Sequence, residues 1–183
     1  MLIRTAKEDV EKILFTPEQI QARVAELGKE LDAQFGDKHP LMLCVLRGAA
    51  FFFTDLCRAM ECHMDMDFIS ASSYFKGTKS SGTVRLLKDT VFDVEGRHII
   101  LVEDIIDSGL TLMYLEKLFQ TRNPASITTV AFLDKDTGKP DRNSVDYYGF
   151  KIPDEFVIGY GLDFADYYRN LPYIGVIRPE CYE

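Results

Sequence analysis

Short apolar runs separated by helical patterns are the feature that most restricts the possible folds of this chain. The runs at 41–46 and 98–102 are too continuously apolar for strands with one exposed face, and a helical pattern follows each. Strands buried on both faces are typical of parallel sheets that helices cover on both sides. Further β-rich runs lie at 127–133, 156–158 and 173–177. Together these runs predict an α/β fold with a mostly parallel sheet flanked by helices.

The first helix has clear sequence signals at both ends. Thr16 can cap it, Pro17 suits the first helical position, and Gln19 completes a capping-box pattern. Gly36 provides a stop signal. The helix is predicted to bury one apolar face formed by Ile20, Val24, Leu27 and Leu31. A second helix is predicted over Ala49 to Met60.

Two segments before residue 90 differ from the buried runs. Residues 64–68 alternate between apolar and acidic side chains, which predicts a strand with one solvent-exposed face. Residues 72–88 are rich in glycine, serine and threonine, and this composition predicts a flexible loop, formed as a hairpin.

Length and charge limit the classes of function. With 183 residues and 46% hydrophobic residues, the chain has the size and composition of one globular domain over 1–183. Its formal net charge of −8 argues against binding to nucleic acid or to a membrane surface, because both partners favour a basic face. The first ten residues alternate charges and contain no apolar signal core, so we expect a cytoplasmic protein.

The most informative motif begins where the apolar run at 98–102 meets Glu103 and Asp104. Adjacent carboxylates repel each other and need hydroxyl donors or a metal ion as a compensating ligand. The following turn, 107–111, contains Ser108, Gly109 and Thr111, and it leads into a helix whose free N–H groups favour a phosphate. A diol site beside a phosphate site predicts binding of a ribose 5-phosphate group.

This motif resembles the 5-phosphoribosyl 1-diphosphate (PRPP) binding motif of type I phosphoribosyltransferases. Further matches occur in the same order at 46–48, Ser73-Tyr74, 132–135, 156–163 and 168–171. From about the first strand to its end, the chain is similar to the hypoxanthine(-guanine) subfamily. The resemblance implies the type I phosphoribosyltransferase fold, with a small hood built from the chain ends.

The resemblance also implies the reaction, which is transfer of the phosphoribosyl group to N9 of a 6-oxopurine with release of pyrophosphate. Glu103 and Asp104 would hold the ribose 2- and 3-hydroxyls. Asp107 would lie beside purine N7 and accept its proton as the catalytic base. The 5-phosphate would be cradled by Asp107, Ser108, Gly109, Leu110 and Thr111.

The same resemblance assigns the pyrophosphate side of the site. Arg169 would bind pyrophosphate, together with a turn whose first peptide bond is often cis in this family. The residues of that turn are Leu46, Arg47 and Gly48. Ser73 and Tyr74 would begin the flexible loop, which would close over the site and exclude water.

On the purine side, Lys135 would donate to the 6-oxygen, Phe156 would stack on the base, and the Val157 backbone would pair with the base edge. Because an ammonium group only donates hydrogen bonds, Lys135 favours a 6-oxo acceptor over the 6-amino group of adenine. Mg²⁺ is the implied cofactor. Asp163, which also borders the purine, would ligate it, with Glu103 and Asp104 as further candidate ligands.

Two alternatives remain open at this stage. One is a regulatory relative that senses PRPP and binds nucleic acid, although this acidic, single-domain chain shows no basic surface for it. The other is an enzyme with the same chemistry that prefers xanthine. By resemblance, we expect a homodimer or homotetramer.

Overall fold

The computed structural model describes residues 5–76, 79–136 and 145–181, with side chains described for all of these except 72–83. A six-stranded sheet forms its centre, in the order β4-β3-β2-β5-β6-β7. The strands are β2 (Leu41–Leu46), β3 (Asp65–Lys76), β4 (Lys79–Lys88), β5 (His98–Ile106), β6 (Ser126–Lys135) and β7 (Tyr147–Ile152). All neighbours pair in parallel except β3 and β4, which form an antiparallel hairpin. The predicted α/β class and mostly parallel sheet are therefore confirmed.

Helices cover both faces of this sheet. On one face lie α1 (Pro17–Phe35) and α2 (Ala50–Ala59), which bury the larger apolar cluster. On the other face lies α3 (Leu110–Gln120), whose Leu112, Leu115 and Phe119 pack into the second cluster. No helix within the described ranges combines the length and apolar character needed to cross a bilayer.

The capping signals of α1 are confirmed by its hydrogen bonds. The Gln19 amide donates to Thr16 Oγ1 at 3.4 Å, and the Thr16 amide donates to Gln19 Oε1 at 2.9 Å. These two bonds satisfy backbone donors that the first turn would otherwise leave free. The helix buries the predicted residues Ile20, Val24, Leu27 and Leu31 and ends before Gly36.

A second sheet joins the two ends of the chain. Strand β9 (Ile174–Ile177) lies between β1 (Val10–Phe15) and the two-residue β8 (Val157–Ile158), and both pairings are antiparallel. This hood sheet confirms the predicted hood. Strands β1 and β7 were not among the predicted elements.

The start of β3 has the predicted alternation, with the apolar residues on its exposed face. Met66 and Phe68 are solvent-exposed, while Asp67 between them is buried. The Asp67 carboxylate accepts hydrogen bonds from Thr90 Oγ1 at 2.7 Å and from the Val91 amide at 2.8 Å, and it pairs with Lys88 Nζ at 3.2 Å. This buried charge is therefore well compensated.

We expect Asp67→Asn to destabilise the fold by about 2 kcal/mol at neutral pH. Burial alone would raise the pKa of Asp67, but the hydrogen bonds outweigh burial and lower it to about 2. The carboxylate therefore contributes its full stabilisation at pH values well above the pKa that it has in the unfolded chain. This stabilisation is lost as the pH falls towards 2. Urea unfolding between pH 7 and pH 3 measures the difference, with the exposed Asp93→Asn as control. If the difference in free energy of unfolding between Asp67→Asn and the unaltered protein stays constant from pH 7 to pH 3, the charged Asp67 carboxylate does not stabilise the fold.

Candidate active site

Two adjoining cavities open at the carboxyl edge of the central sheet. One, of about 100 Å³, is lined by residues of the segment 103–112. The other, of about 170 Å³, is lined by Ile105, Asp107, Leu162 and Asp163 together with Lys135 and residues 155–157. Ile105 and Asp107 line both cavities, so Asp107 lies where the phosphate-loop side of the site meets the purine side.

The acidic pair lies inside β5 instead of after it. The end of the apolar run at residue 102 predicts a strand that stops at Glu103 and Asp104, but the strand continues to Ile106. It does so because pairing with β6 extends to Ile106 opposite Asp134. The sheet itself therefore fixes the backbone of both carboxylates.

Burial controls the charge of this pair. It raises the pKa of Glu103 well above its usual value, and the neighbouring Asp104 raises it further. Glu103 Oε2 is buried and has no hydrogen-bond partner among the described residues. Burial also raises the pKa of Asp104, to about 6, although backbone amides and Arg169 favour its charged form. Burial therefore favours the protonated form of both groups, and hydroxyl donors or a cation that enter the site would favour their charged carboxylates.

The predicted phosphate loop ends at the first turn of α3. Gly109 adopts a left-handed conformation with φ of 72° and immediately precedes the helix. Ser108 Oγ accepts a hydrogen bond from the Leu110 amide at 3.5 Å. Asp107, Ser108, Gly109, Leu110 and Thr111 all line the smaller cavity. The amides and hydroxyls of this loop suit an anionic group, since donors converge there at a helix start.

The turn after β2 packs directly against the acidic pair. Its Leu46–Arg47 peptide bond is cis, the form that often occurs at this turn in the family that the chain resembles. A Cβ atom on Gly48 would lie 1.5 Å from Asp104 Oδ2, and a Cβ atom on Gly161 would lie 2.0 Å from the Gly48 carbonyl oxygen. Glycine at position 48 is therefore required by the close approach of the Asp104 carboxylate.

The two arginines predicted to bind pyrophosphate both contact carboxylates. Arg169 Nη2 lies 2.6 Å from Asp163 Oδ1 and 3.4 Å from Asp166 Oδ1, and Arg169 Nη1 donates to the Gly161 carbonyl at 2.7 Å. Arg47 pairs with the same Asp166 oxygen. The structure thus brings Arg47 and Arg169 together from distant parts of the sequence.

The larger cavity contains the residues predicted to bind the base. Lys135, at the end of β6, lies 2.6 Å from Asp154 Oδ1, and its side chain is only 14% exposed. The Phe156 ring is 42% exposed and packs edge-on against Phe164, with ring centroids 5.5 Å apart. Val157 is buried directly beside it. An open aromatic face next to a shielded ammonium group suits a planar ring with a polar oxygen.

Some residues of this site were not predicted from the sequence. Ile105, Leu162 and Glu155 line the larger cavity, and Asp154 pairs with Lys135. No local motif marks them, because their contacts depend on how β6 and the 154–163 segment meet. Ser73 and Tyr74 lie in β3, but their side chains are outside the described part of the chain. Flexibility of the segment 72–88 remains a prediction.

Comparison with known proteins identifies the family. Residues 12–165 match the model of the phosphoribosyl transferase domain. The chain is 50% identical over 177 residues to the hypoxanthine-guanine phosphoribosyltransferase of Bacillus subtilis, covering 97% of this chain and 98% of that protein. It is 46% identical over 182 residues to the enzyme of the same name from Lactococcus lactis, covering 100% and 99%.

The fold comparison agrees with the sequence comparison. A crystal structure of a hypoxanthine phosphoribosyltransferase from Staphylococcus aureus superposes with a TM-score of 0.94 at 38% identity, covering the whole of both chains. The parallel sheet, the hood sheet and the cavity-lining loop therefore occur in a chain whose sequence and fold both match this group. The chain belongs to the phosphoribosyltransferase family, within the group of the hypoxanthine-guanine phosphoribosyltransferases.

Proposed function

We propose that this chain transfers the phosphoribosyl group of PRPP to N9 of hypoxanthine or guanine, releases pyrophosphate and so serves purine salvage. The observation that carries the proposal is that Asp107 and Ile105 line both cavities. One cavity suits the 5-phosphate and the other suits the purine, so the reacting sugar carbon would lie between them. The names of its relatives support the same substrates.

In this proposal the residues act on separate parts of the reaction. Positive charge develops on the ribose ring as pyrophosphate leaves, and the nearby carboxylates Glu103 and Asp104 would hold the ring by its hydroxyls. Asp107, exposed at the junction of the cavities, would accept the N7 proton and so make N9 a better nucleophile. The 107–111 loop would fix the 5-phosphate, and Arg47 and Arg169 would bind the leaving pyrophosphate.

The residues present fit a magnesium ion that is bound together with the substrate. Within the described ranges, no three His, Cys, Asp or Glu side chains converge to form a metal cage. Magnesium commonly uses one or two protein carboxylates and completes its shell with phosphate oxygens and water. Asp163 is the first candidate ligand, with Glu103 and Asp104 beside the ribose hydroxyls. A bound ion would neutralise charge on the leaving group.

A panel of bases tests the proposed function. Purified protein would be given PRPP and Mg²⁺ with hypoxanthine, guanine, xanthine or adenine, and pyrophosphate release would be recorded. We expect release with hypoxanthine and guanine and none with adenine. Release with xanthine alone would identify a xanthine-preferring enzyme. PRPP binding without release for any base would indicate a sensor and contradict the proposal.

We expect Lys135→Ala to raise the KM for hypoxanthine about tenfold while changing the KM for PRPP little, because it removes a charged hydrogen-bond donor to the 6-oxygen. Steady-state kinetics with each substrate varied in turn measures the two values. Lys151→Ala is a matched control, since Lys151 is an exposed lysine on the neighbouring β7. Equal rises in both KM values would contradict a role in base recognition.

Assembly and location are also part of the proposal. Met66 and Phe68 form an exposed apolar pair, and the Phe68 ring contacts Phe53 of α2 at a centroid distance of 5.4 Å. Such a surface supports a homodimer or homotetramer, which sedimentation of the purified chain would test. Among the described residues, Cys44, Cys57 and Cys62 form no disulfide bond, and this supports a cytoplasmic, reducing location.

A further inference from the structure

We infer that Asp166 occupies the place of a pyrophosphate oxygen between Arg47 and Arg169, and that it thereby weakens the affinity of the site for pyrophosphate. The inference rests on the proposed role of these two arginines in binding pyrophosphate. Asp166 would compete with the substrate for the guanidinium groups of Arg47 and Arg169. It would thereby influence both the binding of PRPP and the release of pyrophosphate.

The contacts of Asp166 support this position. Its Oδ1 atom accepts a hydrogen bond from Arg47 Nη2, and the same oxygen lies 3.4 Å from Arg169 Nη2. One anionic oxygen therefore contacts guanidinium groups from the turn after β2 and from the segment before β9. A pyrophosphate oxygen between the two arginines would make these contacts instead, since guanidinium groups bind phosphate and carboxylate oxygens in the same way.

The backbone around Asp166 orients this carboxylate. Ala165, Asp166 and Tyr168 have φ values of 50°, 68° and 76°, a region that residues with a side chain seldom adopt. Hydrogen bonds between Phe164 and Tyr167 close the turn, and the Asp166 amide donates to Asp163 Oδ2 at 2.8 Å. The turn thus directs Asp166 towards the arginines while its own amide contacts the proposed magnesium ligand.

The ion pair is weak enough for a substrate to replace. The side chains of Arg47 and Asp166 are 67% and 64% exposed, and water screens pairs of this kind. Pyrophosphate carries more charge than one carboxylate and would displace Asp166. Removing the competing charge should therefore tighten binding by a modest factor, about threefold, in line with the small energies of exposed pairs.

The test compares Asp166→Asn with the unaltered enzyme by calorimetric titration with magnesium pyrophosphate. We expect the Kd to fall about threefold. The KM for PRPP should fall with it, the KM for hypoxanthine should stay unchanged, and Asp166→Glu should restore the original values. Asp89→Asn, which removes the same charge from a surface pair with Arg122, controls for net charge and should leave the Kd unchanged.

An unchanged or higher Kd in Asp166→Asn would overturn the inference. The Arg169→Ala variant then distinguishes failure of the competing role of Asp166 from failure of the proposed role of Arg169 in binding pyrophosphate. If Arg169→Ala weakens pyrophosphate binding while Asp166→Asn does not tighten it, only the competing role of Asp166 fails. If Arg169→Ala binds pyrophosphate as tightly as the unaltered enzyme, the proposed role of the arginine fails and the inference fails with it.

Discussion

Asp107→Asn should lower kcat by a factor of about 10² to 10⁴ with hypoxanthine as the acceptor, the range that general base catalysis typically contributes. Asparagine keeps the size of the side chain and lacks a group that accepts a proton. Asp107 is exposed and lies at the junction of the two cavities, so its replacement disturbs no buried contact. The KM for PRPP should therefore change much less than kcat. Single-turnover measurement of nucleotide formation isolates the chemical step.

Two further variants test whether the loss of rate is due to the carboxylate at position 107. Asp93→Asn removes an exposed carboxylate outside the site and should retain full turnover. Asp107→Glu keeps an ionisable carboxyl group in a longer side chain and should recover part of the rate. If Asp107→Asn works at close to the normal rate, Asp107 is not the base, and the proton of N7 must leave to water or to another group.

Gly48→Ala should lower kcat/KM for PRPP about 100-fold, the loss expected when a reacting group is displaced by about 1 Å. The new methyl group would lie 1.5 Å from Asp104 Oδ2 and 2.5 Å from its Cγ, so either this carboxylate or the 46–48 turn must move. The φ angle of Gly48 is outside the left-handed region, so the expected penalty is steric. Both groups that would move belong to the sugar and pyrophosphate side of the site.

Kinetics with PRPP varied, together with thermal unfolding, would measure this effect. Gly36→Ala adds the same methyl group at the end of α1, remote from the site, and should leave kcat/KM unchanged. A Gly48→Ala variant that unfolds at the normal temperature and has the normal kcat/KM would show that the turn tolerates the displacement. The close packing of Gly48 against Asp104 would then have no catalytic importance.

Local signals were sufficient for some elements and not for others. The capping box at Thr16 and Gln19 and the apolar run of β2 act within a few residues, and both were predicted correctly. Strands β1 and β7 were missed because neither has an unbroken apolar run. Each is stabilised by a partner strand, β9 for the first and β6 for the second. Pairing of that kind is not encoded in a short window of sequence.

The candidate site also contains features that local sequence predicts and contacts that form only in the folded chain. The loop from Asp107 to Thr111 is continuous in sequence, and all of its residues line one cavity as a local motif predicts. The pairs Lys135–Asp154 and Arg47–Asp166 join segments that meet only in the folded chain. The extension of β5 beyond Glu103 likewise depends on β6. Spacing within the sequence carries no information on these contacts.

The hood sheet can be completed only after nearly the whole chain has been synthesised on the ribosome. All six strands of the central sheet lie between residues 41 and 152, whereas β1 must wait for β9, at 174–177, before it can pair. A nascent chain can therefore contain the 107–111 loop and the strand that carries Glu103 and Asp104 before Phe156 and Arg169 have been made. A chain that stopped at residue 152 would thus lack residues proposed to bind the purine and residues proposed to bind pyrophosphate, and it would have a complete pocket for neither substrate.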